Sequence, residues 1–254
     1  MRFTLLGTGT STGVPSVACD CETCSSSDPR DRRLRTSLLV QSDSTTVIID
    51  TSMDFRQQML THKVMDIDGV VYTHHHFDHI GGFDDLRPYS FRSGKPVAVH
   101  AMQETIDVLR TTFPYAFGLV RPTGASVPSI NLHVIDTAPF MIGDIPLQPI
   151  PMSHGGMPVL GFRIGDVAYC TDTNHIPPSS RNMLRGLHTL VIDGLRWQEH
   201  PTHFTIDQAL GVIDDVKPEQ AFLTHIAHQV LHKEAEAYLP EHVDLAWDGL
   251  SITR

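Results

Sequence analysis

Apolar residues along this chain fall in short clusters of four to six, separated by polar, Gly- and Pro-containing stretches. Phe3–Gly7, Ser37–Gln41 and Thr46–Asp50 (FTLLG, SLLVQ, TVIID) are rich in apolar and β-branched residues and predict strands. GVVYT (69–73) predicts a buried strand that runs straight into HHHFDH, and PVAVH (96–100) predicts another. NLHVI, PLQPI, VLGFRI and VAYC make the second half strand-rich, followed by TLVID (189–193) and QAFLT (220–224). Helical spacing predicts helices over Met53–Thr61, Gln103–Phe113, Ser179–Leu187 and Thr205–Val216. Two strand-rich halves, each flanked by helices, predict a layered α/β sandwich.

No repeat, low-complexity linker or composition shift divides the chain, so one domain is expected over 1–254. SSSDPRDRR (25–33) is expected to be a surface loop, and the Pro- and Gly-rich stretch Pro114–Pro128 a flap or lobe. With 254 residues, 41% hydrophobic and 19% charged, bulk disorder is excluded and a sizeable core is affordable without disulfides. No apolar run approaches the ~18–20 residues of a membrane span. The first residues, MRFTLLGTG, reach glycine too soon for a secretory leader, so a cytoplasmic protein is expected.

The net charge of -10 opposes nucleic-acid binding. More informative are 16 histidines against 19 Lys plus Arg, because imidazole is the commonest metal ligand. Four cysteines are present; Cys19, Cys21 and Cys24 crowd together, whereas Cys170 stands alone in a strand and reads as core. The crowding suits a metal better than a disulfide framework.

His74, His76, Asp78 and His79 form H-x-H-x-D-H at the end of a predicted strand, just before Gly81-Gly82. In an extended segment, residues i and i+2 share a face, so His74 and His76 can grip one ion. A tight turn then aims Asp78 and His79 at a second ion, ~3.5–4 Å away. Imidazole and carboxylate suit Zn, Mn or Fe. The competing reading, an exposed polar loop tip, does not account for four ligand-type residues in six positions.

This motif after a buried strand resembles the signature of the metallo-β-lactamase superfamily, whose later motifs also occur here in order: PMSHGG, YCTDT and FLTHIAH. The resemblance implies the four-layer αββα sandwich. It also implies that His74, His76 and His154 hold one divalent cation, that Asp78, His79 and His225 hold the other, and that Asp172 bridges them. Asp50 in TVIIDTS resembles the family's buried support for the site. An Asp at position 172, not a Cys, is similar to the hydrolases of phosphodiesters and thioesters, not to the β-lactam-opening branch.

Cys19, Cys21 and Cys24 (C-x-C-x-x-C) lack a fourth ligand. If His225 serves the catalytic ions, His228 can point elsewhere and complete a closed Cys3His zinc site with a structural role. The alternative is three unmetallated thiols. LGTGTSTGVP, CxCxxC and THxxH together resemble the PhnP-type phosphodiesterases. That resemblance implies hydrolysis of a small cyclic ribose phosphate in phosphonate catabolism, a Mn-type or Zn dinuclear site and a homodimer.

His203 in HFT resembles the H-x-S/T element whose histidine handles the leaving group, and an imidazole near ~pKa 6.5 can protonate an alkoxide. Thr205 with Gln208 also reads as a helix cap, and His200 is a weaker candidate. Arg30, Arg32, Arg33 and Arg35 suit phosphate, although a solvated loop paired with Asp28 and Asp31 is the preferred reading. Arg87 beside Asp84 and Asp85 reads as structural, and Gly7, Gly9 and Gly13 read as turns, since no GK[ST] follows.

The expected function is metal-dependent phosphodiester hydrolysis by a hydroxide generated between two cations, with Asp78 and His203 central to the chemistry. A tRNA 3′-processing nuclease is a rival, disfavoured by the lack of a Lys/Arg-rich insertion. A glyoxalase II-type thioesterase is disfavoured by the Cys loop. A non-catalytic metal or cofactor carrier, as in pyrroloquinoline quinone biosynthesis, is disfavoured by the full ligand set.

Overall fold

The computed structural model describes residues 1–118 and 127–254. The chain order is β1 (Arg2–Gly7), β2 (Ser37–Gln41), β3 (Thr46–Ile49), α1 (Phe55–His62), β4 (Gly69–Val71), α2 (Phe77–Ile80), α3 (Arg87–Ser93), β5 (Val97–Ala101), α4 (Gln103–Thr112) and β6 (Ile130–Val134). The second half contains β7 (Phe140–Ile142), β8 (Ile145–His154), β9 (Met157–Ile164), β10 (Val167–Cys170), α5 (Pro178–Met183), β11 (Thr189–Asp193), α6 (Ile206–Val216), β12 (Gln220–Thr224), α7 (His232–Tyr238) and β13 (Val243–Leu245). The last strand, β14 (Ser251–Thr253), returns to pair with β1. Pro114–Phe117 form a 3-10 turn, while residues 119–126, and with them most of the expected flap, lie outside the described residues.

Among the described residues the strands form two seven-stranded sheets, ordered β14-β1-β2-β3-β4-β5-β6 and β13-β12-β11-β10-β9-β8-β7. Three hydrophobic clusters show why they layer. Phe3, Leu5, Leu38, Val40, Val47 and Ile49 face Leu160, Phe162, Val191 and Phe222 between the sheets. The alternate residues Leu39 and Ile48 turn outward to Phe55, Met59, Ile106 and Leu109 of α1 and α4. In the other sheet, Leu190, Ile192 and Leu223 turn outward to Ile206, Ala209, Val212 and Ile213 of α6. Strands buried on both faces explain the continuous apolar runs of the sequence, each large side chain contributing about 1.5–3 kcal/mol. The expected αββα sandwich is what the chain forms.

Most strands that carry chemistry are parallel, β3 to β6 in one sheet and β10 to β13 in the other; the exception is His154, at the end of the antiparallel β8. Ligands in such sheets sit beyond the carboxyl ends of the strands. Asp50, His74, Asp172, Asp193 and His225 all lie at or just past such ends. The expected tight turn within HHHFDH is instead one turn of helix, α2, because the His79 and Ile80 amides both donate to the His76 carbonyl. The helix places Asp78 and His79 on one side of that turn.

Candidate functional site

The first cluster unites His74, His76, His154 and Asp172, with ligand atoms all within 4.8 Å of one another; the second unites Asp78, His79, Asp172 and His225 within the same limit. Asp172 belongs to both. Its Oδ1 lies 3.2 Å from His79 Nε2, and its Oδ2 lies 3.2 Å from His225 Nε2 and 3.8 Å from His74 Nε2. Asp78 Oδ2 lies 3.5 Å from His79 Nε2 and 3.6 Å from His225 Nε2. Ligands ~2.0–2.1 Å from a shared cation stand about 3.0–3.4 Å apart, so these gaps suit an ion at their centre.

Hydrogen bonding aims the imidazoles. His79 Nδ1 donates to Asp50 Oδ2 at 2.7 Å, His154 Nδ1 to the Thr202 carbonyl at 2.7 Å, and His74 Nδ1 to Thr73 Oγ1 at 2.9 Å. Each bond leaves Nε2 as the free nitrogen, which is the usual way a protein orients a ligating histidine. Nε2 of His74, His79 and His225 are buried and have no hydrogen-bond partner. Buried polar atoms are rarely left so; divalent cations would satisfy all three. Asp50, Asp172 and His225 hold left-handed backbone (φ 64, 54 and 60), a conformation costing about 1–3 kcal/mol at a non-glycine residue.

Electrostatics agree with this placement. Burial keeps His74 neutral, well below its ordinary value, and lowers His154 to about 4. Burial pushes Asp172 up, but His225 and His79 outweigh it and hold it well below the carboxylate range. Asp78 is likewise held low by His79 and His225 against its burial. His74, His154, Asp78 and Asp172 are thus in the deprotonated forms that metals need, whereas at His79 the neighbouring Asp172, Asp50 and Asp78 outweigh burial and raise the proton affinity well above the ordinary value, so that a cation there would take a proton's place.

Asp50 accepts from the Thr73 amide (2.9 Å), Thr73 Oγ1 (2.8 Å) and His79, and is fully buried. His203 stacks on His225 with ring centroids 4.6 Å apart and meets His154 edge-on at 4.5 Å. Its Nδ1 donates to Asp193 Oδ2 at 2.7 Å. Asp193, buried at the end of β11, was not among the residues the sequence singled out. The available signal was its place at the end of TLVID, like that of Asp50 at the end of TVIID. Thr205 caps α6 in a reciprocal box with Gln208. His200 lies 5.1 Å from His203 but joins neither cluster.

A third cluster joins Cys19, Cys21, Cys24 and His228. His228 Nδ1 stands 3.2, 3.4 and 3.7 Å from the three sulfurs, near the roughly 3.5 Å edge of a tetrahedral zinc site. The Cys24 amide and then His228 lower the Cys21 thiol to about 6, while burial raises Cys24 to about 11. His225 and His228 face different clusters across a single turn.

The arginines that the sequence singled out pair away from the two His/Asp clusters. Arg30 pairs with Asp28 and Glu236, and Arg35 with Asp54. Arg33 pairs with Asp31 as expected, yet it is not solvated: both are buried, and Arg33 also donates to the Val230 carbonyl. This ties the segment preceding α7 to the loop after the cysteines. Arg87 pairs with Asp84, and Cys170 is buried core.

Comparison with known proteins agrees with the geometry. Residues 45–226 match the Beta-lactamase superfamily domain. A crystal structure described as a new diphosphatase from the PhnP family is 42% identical, covering 99% of this chain and 97% of its own, with a TM-score of 0.93. A protein named Octanoyltransferase from Porphyromonas gingivalis is 41% identical over 98% of this chain, which spans only 51% of that relative's length. Zn(2+)-bound PqqB from Methylobacterium extorquens, 17% identical with a TM-score of 0.79 over all of both chains, shares the fold. This chain is therefore a member of the metallo-β-lactamase superfamily and of its PhnP family.

Proposed function

We propose that this chain hydrolyses a small phosphodiester at a centre of two divalent cations, Mn, Zn or Fe. His74, His76 and His154 would hold one, Asp78, His79 and His225 the other, and Asp172 both. The observation that carries this reading is the three buried Nε2 atoms without partners, beside two carboxylates held ionised. Cations bound there supply Lewis acidity and activation of water at neutral pH. The chain's own contribution is placement and a proton. Asp193 accepts from His203 Nδ1, so the proton available to a departing oxygen sits at Nε2. Asp193 raises the proton affinity of His203 against the opposing effect of burial. His203 is the general acid in this scheme. Cys19, Cys21, Cys24 and His228 hold a structural zinc.

The substrate follows by resemblance: a cyclic ribose phosphate. The PhnP-family neighbour called a diphosphatase favours a second reading, a diphosphate linkage. The two share one requirement, a singly charged phosphorus between two bridging oxygens. No helix among the described residues is long and apolar enough to cross a membrane. We place the protein in the cytoplasm as a homodimer of one-domain chains acting on a small substrate rather than on nucleic acid.

The test is elemental analysis together with a phosphodiester panel. Two active-site metals and one zinc per chain are expected. Turnover of bis(p-nitrophenyl) phosphate should vanish in Asp78→Ala. A cyclic ribose phosphate and a diphosphate diester then separate the two substrate readings. Full metal loading without turnover of any diester would overturn the proposal in favour of a carrier role.

A further inference from the structure

The segment that carries His203 has no helix or strand of its own between β11 and α6. The place of that imidazole therefore depends on what ties the segment down. At its base the Leu195 amide donates to the Phe204 carbonyl at 3.0 Å, and the Ile206 amide to that of Arg196 at 3.0 Å. Beside His203 the ties run to the two residues that follow Asp172. The Phe204 amide donates to the Thr173 carbonyl at 2.9 Å, and Asn174 Nδ2 donates to the Pro201 carbonyl at 2.8 Å. His203 is thus bracketed by two bonds to neighbouring residues. The first joins main chain to main chain. The second depends on the side chain at position 174. Asn174 is engaged at its other end too, where Oδ1 accepts from the Gly155 amide at 2.9 Å. One carboxamide therefore spans the turn after β8, which follows His154, and the loop before α6. These two pieces press together: a Cβ on Gly155 would come within 2.5 Å of Thr202 Cγ2, and His154 Nδ1 donates to the Thr202 carbonyl. The bridge needs an amide, which donates at one end and accepts at the other; neither an ionised carboxylate nor an alkyl group does both.

We infer that Asn174 is a positioning residue for the hydrolysis, whose carboxamide sets the reach of His203 toward the departing oxygen. This rests on the phosphodiesterase reading above, with His203 as general acid. Asp193 orients the ring through Nδ1. The seat of the loop on Asn174 fixes the main chain two residues before the ring, and so how far Nε2 extends. It also ties the loop of the acid to the run Asp172-Thr173-Asn174, so that the shared carboxylate and the proton donor keep a constant spacing. A small misplacement of a proton donor slows the chemical step and leaves substrate binding alone, so the loss belongs in kcat and not in KM.

The experiment compares two diesters that differ in the leaving group, the phenyl and p-nitrophenyl esters of methyl phosphate. Water adds across the P–O bond of each and gives methyl phosphate with phenol or p-nitrophenolate. Phenolate leaves poorly without a proton, whereas p-nitrophenolate needs none. Asn174→Ala should lower kcat on the phenyl ester about tenfold and on the p-nitrophenyl ester less than about twofold, with KM and bound metal per chain unchanged. Asn174→Asp keeps the acceptor for Gly155 and loses the donor to Pro201. It should show the same split, and it carries the test if the alanine variant fails to fold. In a His203→Ala background, Asn174→Ala should cost nothing further on the phenyl ester. Equal losses on the two esters, loss of bound metal, or full additivity with His203→Ala overturns the inference alone. A wild type that turns over only the p-nitrophenyl ester, or a His203→Ala variant that loses both activities equally, overturns the acid assignment and the inference with it. Hydrolysis of neither ester by the metal-loaded wild type overturns the phosphodiesterase reading itself.

Discussion

Two buried aspartate–histidine pairs stand at matching places in the two sheets. Asp50 follows β3 and receives His79 Nδ1 at 2.7 Å; Asp193 ends β11 and receives His203 Nδ1 at 2.7 Å. Burial raises the proton affinity of both carboxyls, opposed in each by its histidine. The pairs differ in what surrounds them. Both oxygens of Asp50 are bonded, whereas Asp193 accepts from the Thr173 amide and His203 through Oδ2 and leaves Oδ1 buried without a partner. The far nitrogen of His79 faces two carboxylates, Asp78 and Asp172. His203 has no carboxylate but Asp193 within ion-pair distance among the described residues. The same couple thus serves two ends: the carboxylates around His79 outweigh burial and favour positive charge there strongly, a proton or the cation that would replace it, whereas His203, whose proton affinity Asp193 raises against burial, is left with a proton it can give up.

The comparison breaks most readily at Asp172, which faces the first pair and both clusters. Asp172→Asn should lower kcat/KM by about a thousandfold or more and empty at least one active-site metal position. Full metal content with activity within tenfold of wild type would remove the basis for two cations. Next in size is His203→Ala. A general acid contributes about 10²–10⁴-fold, so an alkyl diester should suffer that loss while metal content holds. A p-nitrophenyl ester, whose leaving group needs no proton, should lose far less. Equal losses on both substrates would make His203 a packing residue.

The pairs are separated directly by changing each carboxylate to an amide. Asp50→Asn should weaken active-site metal binding about 10–100-fold, the usual cost of losing a ligand's hydrogen-bond partner. Asp193→Asn should leave metal retention against a chelator unchanged and reduce kcat about tenfold on alkyl diesters. If both variants lose metal equally, the two pairs do the same work and the distinction fails.

Much of this was legible in the chain. His74, His76, Asp78 and His79 are close in sequence, so spacing alone exposes them. His154, Asp172 and His225 gain meaning only through their order after that motif, because a lone His or Asp after a strand is common. Asp193 stayed hidden since a carboxylate ending an apolar run looks like any strand terminus; only folding brings His203 to it. The strands read from apolar clusters formed, with ends shifted by a residue or a few. β7, β13 and β14 have three residues each, too few positions for a period to show, whereas the equally short β4 was read because its apolar run continues through Tyr72 into HHHFDH, and the return of β14 to β1 is a long-range pairing with no local signal. Arg33 looked solvated because its neighbours are polar; its burial depends on Val230, nearly 200 residues away.

A third enclosed carboxylate sharpens the comparison, because it has no histidine. Asp248 accepts from the Leu34 amide at 2.7 Å and Thr8 Oγ1 at 2.8 Å, both neutral donors. Burial raises it to about 7, with those bonds and Arg33 pulling the other way. The sign follows from linkage. Below the unfolded value of 3.8 both states hold the proton and Asp248 costs nothing. As pH rises from there to about 7, the unfolded chain releases its proton first, so stability falls across that window. Allowing for its partial exposure, the loss is about 1–2 kcal/mol. Asp248→Asn keeps an acceptor and removes the titration. Urea unfolding at pH 4 to 7 should show a decline for wild type that is flatter in the variant. Parallel curves would mean that neutral donors alone hold this carboxylate ionised, and that a histidine partner is not what distinguishes the two pairs at the site.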